Sequence, residues 1–367
     1  MITRSKTNLF MYWITCLVSV GGILYGYDIG VISGALLFIQ KSIPMTDAQI
    51  GIIVGAVLGG GLVGTLLSGP MGDRYGRRFL IMVSSIVFII GVCFILLAHS
   101  FLMILCARLL LGVGVGIVAV AVPLYVAEMV PAENRGKYVT FFQLLLTFGI
   151  VLAYFVDLIF TPSGNWRAMF AVVLIPAFIL LMGALFLPET PRWLIANGRL
   201  NEARHILKRI RSTQQAVDND IQMIAESLHE TEGSWLELFS HSFWLPTIIA
   251  VAIATFNQLT GINSFLQYAP LILKEAGMGS DLITMIGSVG IGILNFLCTI
   301  IAITLIDSFG RRPLLLIGIY IIQFCIVIIS MIPLGIGLIW TLPFILILYG
   351  TVYKRLAVKS ATKADLF

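Results

Sequence analysis

Apolar runs, each near the roughly 20 residues a helix needs to cross a bilayer, are divided by short polar turns over the first 190 residues. The pattern predicts spans at 9–39, 49–70, 79–98, 101–130, 137–160 and 168–188. A polar connection over 191–241 follows, and further spans are predicted at 243–271, 282–306, 313–332 and 334–353. Pro333 and Pro343 interrupt the last of these. Apolar residues run on without alternating, so a β-barrel is excluded. The predicted fold is an all-α polytopic membrane protein of about ten spans. It divides into a bundle over 1–190, the connection 191–241, a second bundle over 242–353 and a tail over 354–367.

Within the connection, Leu200–Arg211 and Ile221–His229 carry apolar residues at helical spacing among charges. They read either as amphipathic helices lying at the membrane face or as a solvated linker.

Composition agrees with the pattern. Hydrophobic residues make up 59% of the chain and charged residues 11%, outside the range of a soluble domain. The 35 glycines suit close helix packing in lipid. Cys16, Cys93, Cys106, Cys298 and Cys325 lie in apolar runs without metal-ligand spacing and read as small hydrophobes.

The net charge of +5 matters less than its placement. With the N-terminus cytoplasmic, 19 of the 23 Lys and Arg residues fall in inside segments. Lys41, Arg167 and Lys274 fall outside, and Arg108 lies within a span. This bias predicts cytoplasmic N- and C-termini and an even number of crossings, and it points to membrane topology rather than to nucleic acid.

One polar signal occurs twice. Asp73-Arg74-Tyr75-Gly76-Arg77-Arg78 is echoed 234 residues later by Asp307-Ser308-Phe309-Gly310-Arg311-Arg312. Each copy sits at an expected cytoplasmic turn, so the chain reads as two related halves. Glu128 and Arg135 flank another inside turn, and Glu189 and Arg192 flank the exit from the sixth span. These groups read either as topological anchors or as a cytoplasmic gate built from ion pairs and helix-end contacts.

Two sets of polar residues lie within apolar runs. Asp28 in the first span and Arg108 in the fourth are opposite charges at membrane depth. They read as a structural salt bridge or as a functional pair. Burial opposes the charged carboxylate and a neighbouring guanidinium favours it, so a balanced group can exchange a proton as its exposure changes.

The second set is uncharged. It comprises Gln143, then Asn257, Gln258, Thr260, Asn263, Gln267 and Tyr268 in the seventh span, and Asn295 in the eighth. Amides and phenols donate and accept hydrogen bonds, which matches a neutral polyol, although amides also join helices. No nucleophile–base pair, metal motif or phosphate loop is present in the sequence, so no enzyme activity, cofactor or metal is expected.

With these motifs in view, the chain resembles the sugar porter family of the major facilitator superfamily from about Gly21 to Ile319. The resemblance rests on Gly26-Tyr27-Asp28, Gly72 through Arg78, Arg108, Arg135-Gly136-Lys137, Pro188 through Trp193, Gln258 through Asn263, and Asp307 through Arg312. It implies proton coupling at Asp28 with Arg108 as partner. It implies sugar ligands at Gln143, Gln258, Asn263 and Asn295, with Asn257, Gln267 and Tyr268 beside them. Asn257 stands where the family often has a glutamine, and Gln267 where it often has a tyrosine.

The family implies a sugar and a proton as partners, in a bacterial inner membrane, with the sugar bound between two bundles that rock about it; a facilitative sugar uniporter, or a chain that binds sugar without transporting it, is the other reading. Against its usual twelve spans, the second half is expected to lack its last two, because only 55 residues follow Arg312.

Overall fold

The computed structural model describes residues 2–309 except 132–134, 212, 230–239, 241–242 and 260; within its helices the side chains of 2–9, 229, 253, 256, 257, 259 and 306–309 are not described. The spans expected at 313–332 and 334–353, the tail, Cys325, Arg311 and Arg312 lie outside the described residues. Met1–Thr299 form one compact unit and Ile300–Phe367 a second.

The first six spans become long helices: α1 (Ile2–Ser42), α2 (Asp47–Tyr75), α3 (Arg77–Leu96), α4 (Phe101–Met129), α5 (Arg135–Phe160), and the pair α6 (Trp166–Ala171) and α7 (Leu174–Phe186). The connection holds α8 (Pro191–Ala196), α9 (Leu200–Ile210) and α10 (Gln214–His229). The second half contributes α11 (Trp244–Leu259), α12 (Ile262–Glu275) and α13 (Asp281–Phe309). Among the described residues, seven helical segments are long and apolar enough to cross a membrane.

Helix starts follow local chemistry. Thr46 opens α2 with a reciprocal capping box, its hydroxyl accepting from the Gln49 amide and its own amide donating to Gln49 Oε1. Asn165 caps α6 by accepting from the Ala168 amide at 3.1 Å.

Two expected single spans are interrupted. The stretch predicted as 168–188 divides between α6 and α7, where Pro176 has no amide hydrogen to give to Val172. The Val172 carbonyl accepts instead from Ile175 at 3.1 Å, a tighter turn. The stretch predicted as 243–271 divides between α11 and α12 next to Gly261, whose φ of 70° is left-handed.

Packing within the first bundle depends on backbone proximity. Gly22, Gly26, Gly30 and Gly34 recur every fourth residue and line the face of α1 that meets α5. A Cβ at Gly22 would meet the Phe142 carbonyl and one at Gly26 the Leu146 carbonyl. At Gly30 and Gly34 it would meet Ala153 and Asp157. From α5, Gly149 answers against the Ile23 carbonyl. The pairing is the small-residue packing expected where lipid supplies little drive for helix association.

Helix α2 packs on α4 in the same way through Gly60, Gly64, Gly112 and Gly116, and α3 rests on α4 and α7. Leu58, Leu62 and Leu66 form an exposed stripe on α2, as a lipid-facing surface requires. Cys16, Cys93, Cys106 and Cys298 are free and exposed.

The connection is helical at α9 and α10. Ala203, Ile206, Leu207 and Ile210 bury one face of α9. Arg209 stacks over the Phe10 ring of α1 at 3.9 Å from its centroid. Helix α10 starts at Gln214, earlier than the predicted Ile221.

Candidate functional site

The bundle core contains an ion pair. Asp28 on α1 is 2% exposed and Arg108 on α4 is 0% exposed. Arg108 Nη1 donates to Asp28 Oδ1 at 2.6 Å. Asp28 Oδ2 and Arg108 Nε and Nη2 are buried without a hydrogen-bond partner among the described residues. The two residues are 80 apart in sequence, on helices that pack together where Gly21 of α1 lies against Val118 and Val122 of α4. The pair is therefore single-pronged, although guanidinium and carboxylate can form two parallel bonds. One contact is made and donors and an acceptor are left over, an arrangement that can open at lower cost than a fully satisfied bridge.

The uncharged set is distributed over α5, α11, α12 and α13. Gln143 is exposed on α5, Gln258 on α11, and Asn263 is half-buried on α12. Across the break at Gly261, Asn263 Nδ2 donates to Gln258 Oε1 at 3.2 Å. Gln267 is buried on α12 and Tyr268 half-buried beside it, while Asn295 is half-buried on α13. Asn257 lies on α11, and its side chain is outside the described residues.

Two contacts bring these helices against α5. Tyr154 Oη donates to the Leu266 carbonyl at 2.7 Å, one residue before Gln267. The Phe148 and Phe296 rings sit 6.0 Å apart, one residue after Asn295. The amide carriers thus border one junction between the halves, and only Gln258 and Asn263 are joined directly among the described residues.

At one end of the bundle, the Asp73–Arg78 turn is the centre of a polar cluster. Arg77 Nε contacts Glu128 Oε1 at 3.1 Å, and its Nη1 contacts Asp73 Oδ1 at 3.2 Å and donates to the Gly72 carbonyl at 2.6 Å. Arg78 donates to the carbonyls of Ala184 and Leu185 at 2.9 and 2.7 Å. Glu189 accepts from the amides of Arg77 and Arg78, and so caps α3 from another part of the chain. Gly76, with φ 96°, leaves the room that Glu189 occupies.

Burial pushes the Glu189 carboxyl above its ordinary range; bonds from the Thr190, Arg78 and Arg77 amides and the Arg77 charge oppose that rise. Arg135 donates to the Val130 carbonyl at 3.5 Å, and Glu128 pairs with Arg77. Arg192 makes none of the cluster's hydrogen bonds, although its neighbour Trp193 donates to the Asp73 carbonyl at 2.9 Å. Asp307 lies on α13, its side chain outside the described residues.

The opposite end carries an ion network that sequence reading missed. Asp281, the first residue of α13, binds Lys41 of α1 at 2.9 Å and Lys274 of α12 at 2.8 Å. Asp157 was also missed. It is fully buried on α5 and accepts from the Gly34 amide at 3.2 Å. The signal was available, since a carboxylate inside an apolar run is what singled out Asp28. Among the described residues, no group of three or more His, Cys, Asp or Glu side chains is placed to hold a metal.

The sequence matches the sugar (and other) transporter family over residues 14–352. It is 39% identical over 317 residues to the D-xylose transporter of Levilactobacillus brevis, covering 86% of this chain and 68% of that protein. It is 40% identical over 315 residues to the glucose transporter GlcP of Staphylococcus epidermidis, covering 85% of this chain and 69% of that protein. The solved structure of the proton:xylose symporter XylE bound to 6-bromo-6-deoxy-D-glucose aligns with a TM-score of 0.79 at 30% identity, covering 92% of this chain and 78% of that one. A transporter family, a bundle of membrane-length helices and a buried ion pair agree, and the chain belongs to the sugar porter family of the major facilitator superfamily.

Proposed function

We propose that the chain carries out proton-coupled uptake of a monosaccharide by alternating access, with a pentose or hexose as substrate. The observation that carries this reading is the buried, half-satisfied pair of Asp28 and Arg108. Protonation of Asp28 removes the charge that holds Arg108, so proton binding from outside weakens the α1–α4 tie and favours the inward transition. Release of the proton inside restores the tie and resets the carrier.

The sugar is held by hydrogen bonds from Gln143, Gln258, Asn263 and Asn295, with Asn257, Gln267 and Tyr268 beside them. Support comes from their placement on α5, α11, α12 and α13, the helices around the junction of the halves. The break at Gly261 sets Gln258 and Asn263 on separate helix ends, as in transporters whose discontinuous helices bind substrate. The division at about residue 190, with both termini cytoplasmic, follows from the Lys and Arg bias. The cluster of Asp73, Arg77, Arg78, Glu128 and Glu189 is then the cytoplasmic gate, with Asp307, Arg311 and Arg312 as its counterpart in the second half.

The test is uptake by the purified chain in liposomes with an imposed pH gradient, against xylose, arabinose, galactose and glucose. Sugar-dependent proton entry is expected in the wild type. D28N is expected to lose accumulation while keeping exchange down a sugar gradient. Unchanged sugar-linked proton flux in D28N would overturn the coupling role, and absence of uptake for every sugar would overturn the substrate class.

A further inference from the structure

We propose that Asp157 is a second proton-binding site, seated between α1 and α5, which carries its proton in the closed arrangement of these helices. Its side chain is as deeply buried as Arg108, yet among the described residues it has no cation as partner. Its contact is a 3.2 Å bond from the Gly34 amide to Oδ2, and Oδ1 is buried with no hydrogen-bond partner among the described residues. A Cβ on Gly34 would occupy the place of this carboxyl, so the glycine makes the seat.

The charged groups of the surrounding elements are engaged elsewhere. Arg108 of α4 goes to Asp28, Lys41 of α1 goes to Asp281, and Arg167 of α6 donates to the Leu96 and Ala98 carbonyls. At the far end of α4, Glu128 is held by Arg77. The titratable groups that sense Asp157 are two phenols, Tyr27 from α1 and Tyr154 from its own helix. Their hydroxyls donate to the Met169 and Leu266 carbonyls, not to the carboxyl. A lone carboxylate in such surroundings is far more costly than a neutral acid, so the seat selects the protonated form.

Its position gives the proton a consequence. Tyr154, one turn before Asp157, is bonded to α12, and its ring lies against Gly292 of α13. The helix that carries Asp157 is thus clamped to α1 on one side and touches the second half on another. Loosening of the Tyr154 contacts with α12 and α13 would let water approach this stretch of α5 and let the proton leave. The inference extends the coupling assigned to Asp28 and does not require it.

The test is infrared spectroscopy of the full chain in lipid, with aspartate alone isotopically labelled at the side-chain carboxyl so that Glu189 does not contribute. Asp28 and Asp157 are the buried aspartates among the described residues. At neutral pH, a labelled protonated-acid carbonyl band is expected in the wild type, retained in D28N and lost in D157N. A band that survives in D157N, or is missing from D28N, overturns the proposal. The D28N arm decides the matter even if D157N fails to fold. No sugar is present, so failure here and failure of transport are read separately.

Discussion

Glu189 Oε1 stands 2.9 Å from the backbone nitrogen of Arg77, so an acid at the exit of the sixth span closes the open start of α3. The residue before α3 is Gly76, which has no side chain to cap with. A carboxylate supplied from far along the chain takes that role, which ties the α2–α3 turn to the start of the connection that follows α7. Removing a cap of this kind costs about 1 kcal/mol. E189A is expected to lower the unfolding midpoint by a few degrees in a detergent melt.

The same residue gives a pH signature. Its folded carboxyl is raised from 4.5, with burial as the largest cause. Between 4.5 and the raised value the folded chain binds more proton than the unfolded one. The stability linked to that proton is complete below the window and is lost as pH rises through the folded value. E189Q cannot titrate, so its melting midpoint is expected to fall less steeply over this window. A slope equal to that of the wild type would show that Glu189 does not contribute.

The pair of Asp28 and Arg108 predicts non-additivity. R108Q leaves the carboxylate buried without a cation, which costs about 3–5 kcal/mol. D28N leaves the guanidinium in the same position. The double variant D28N/R108Q removes both charges and is expected to recover most of the loss in a thermal melt. Simple addition of the two single effects would mean that the residues do not act on each other.

Glycine substitutions separate contact from composition. A Cβ at Gly26 meets the Leu146 backbone, whereas one at Gly55 meets nothing within 4 Å. G26A is expected to destabilise by about 1–3 kcal/mol through overpacking. G55A is expected to be neutral or to stabilise by about 0.5–1 kcal/mol, since alanine is the better helix former. Unfolding of the two variants side by side distinguishes them.

The Asp281 network predicts a change of population more than of stability. Lys41, Lys274 and Asp281 are partly exposed, and surface ion pairs contribute about 1 kcal/mol or less. D281N frees α1 from the start of α13, so this end of the bundle is expected to open more often. Spin labels at Ser42 and Leu282 would register it as a longer-distance component absent from the wild-type background. An unchanged distance distribution would rule out a latch here.

Much of this was legible in the chain. Continuous apolar runs located the first six spans, because burial in lipid leaves no other use for such segments. The embedded charges located Asp28 and Arg108, and their pairing followed from the cost of leaving either alone. What sequence could not give was which distant groups meet. Glu189 was placed beside Arg192 at the exit from the sixth span, and the amides it accepts from lie 111 and 112 residues away. Gly261 lies inside one predicted span, and its left-handed φ is what divides that span into two helices. The four-residue glycine repeat was written in α1, although the carbonyls it meets belong to α5.

That repeat constrains how the bundle can move. Two surfaces meshed at every fourth residue fit again only after a shift of a whole repeat, about 6 Å at 1.5 Å per residue. Gradual sliding is blocked by backbone atoms that cannot step aside, so α1 and α5 act as a single strut. Conformational work falls instead on the opposite flank of α5, where a tyrosine hydroxyl meets the Leu266 carbonyl and its ring meets Gly292. A rigid toothed seam beside an exchangeable one gives the rocking motion its axis.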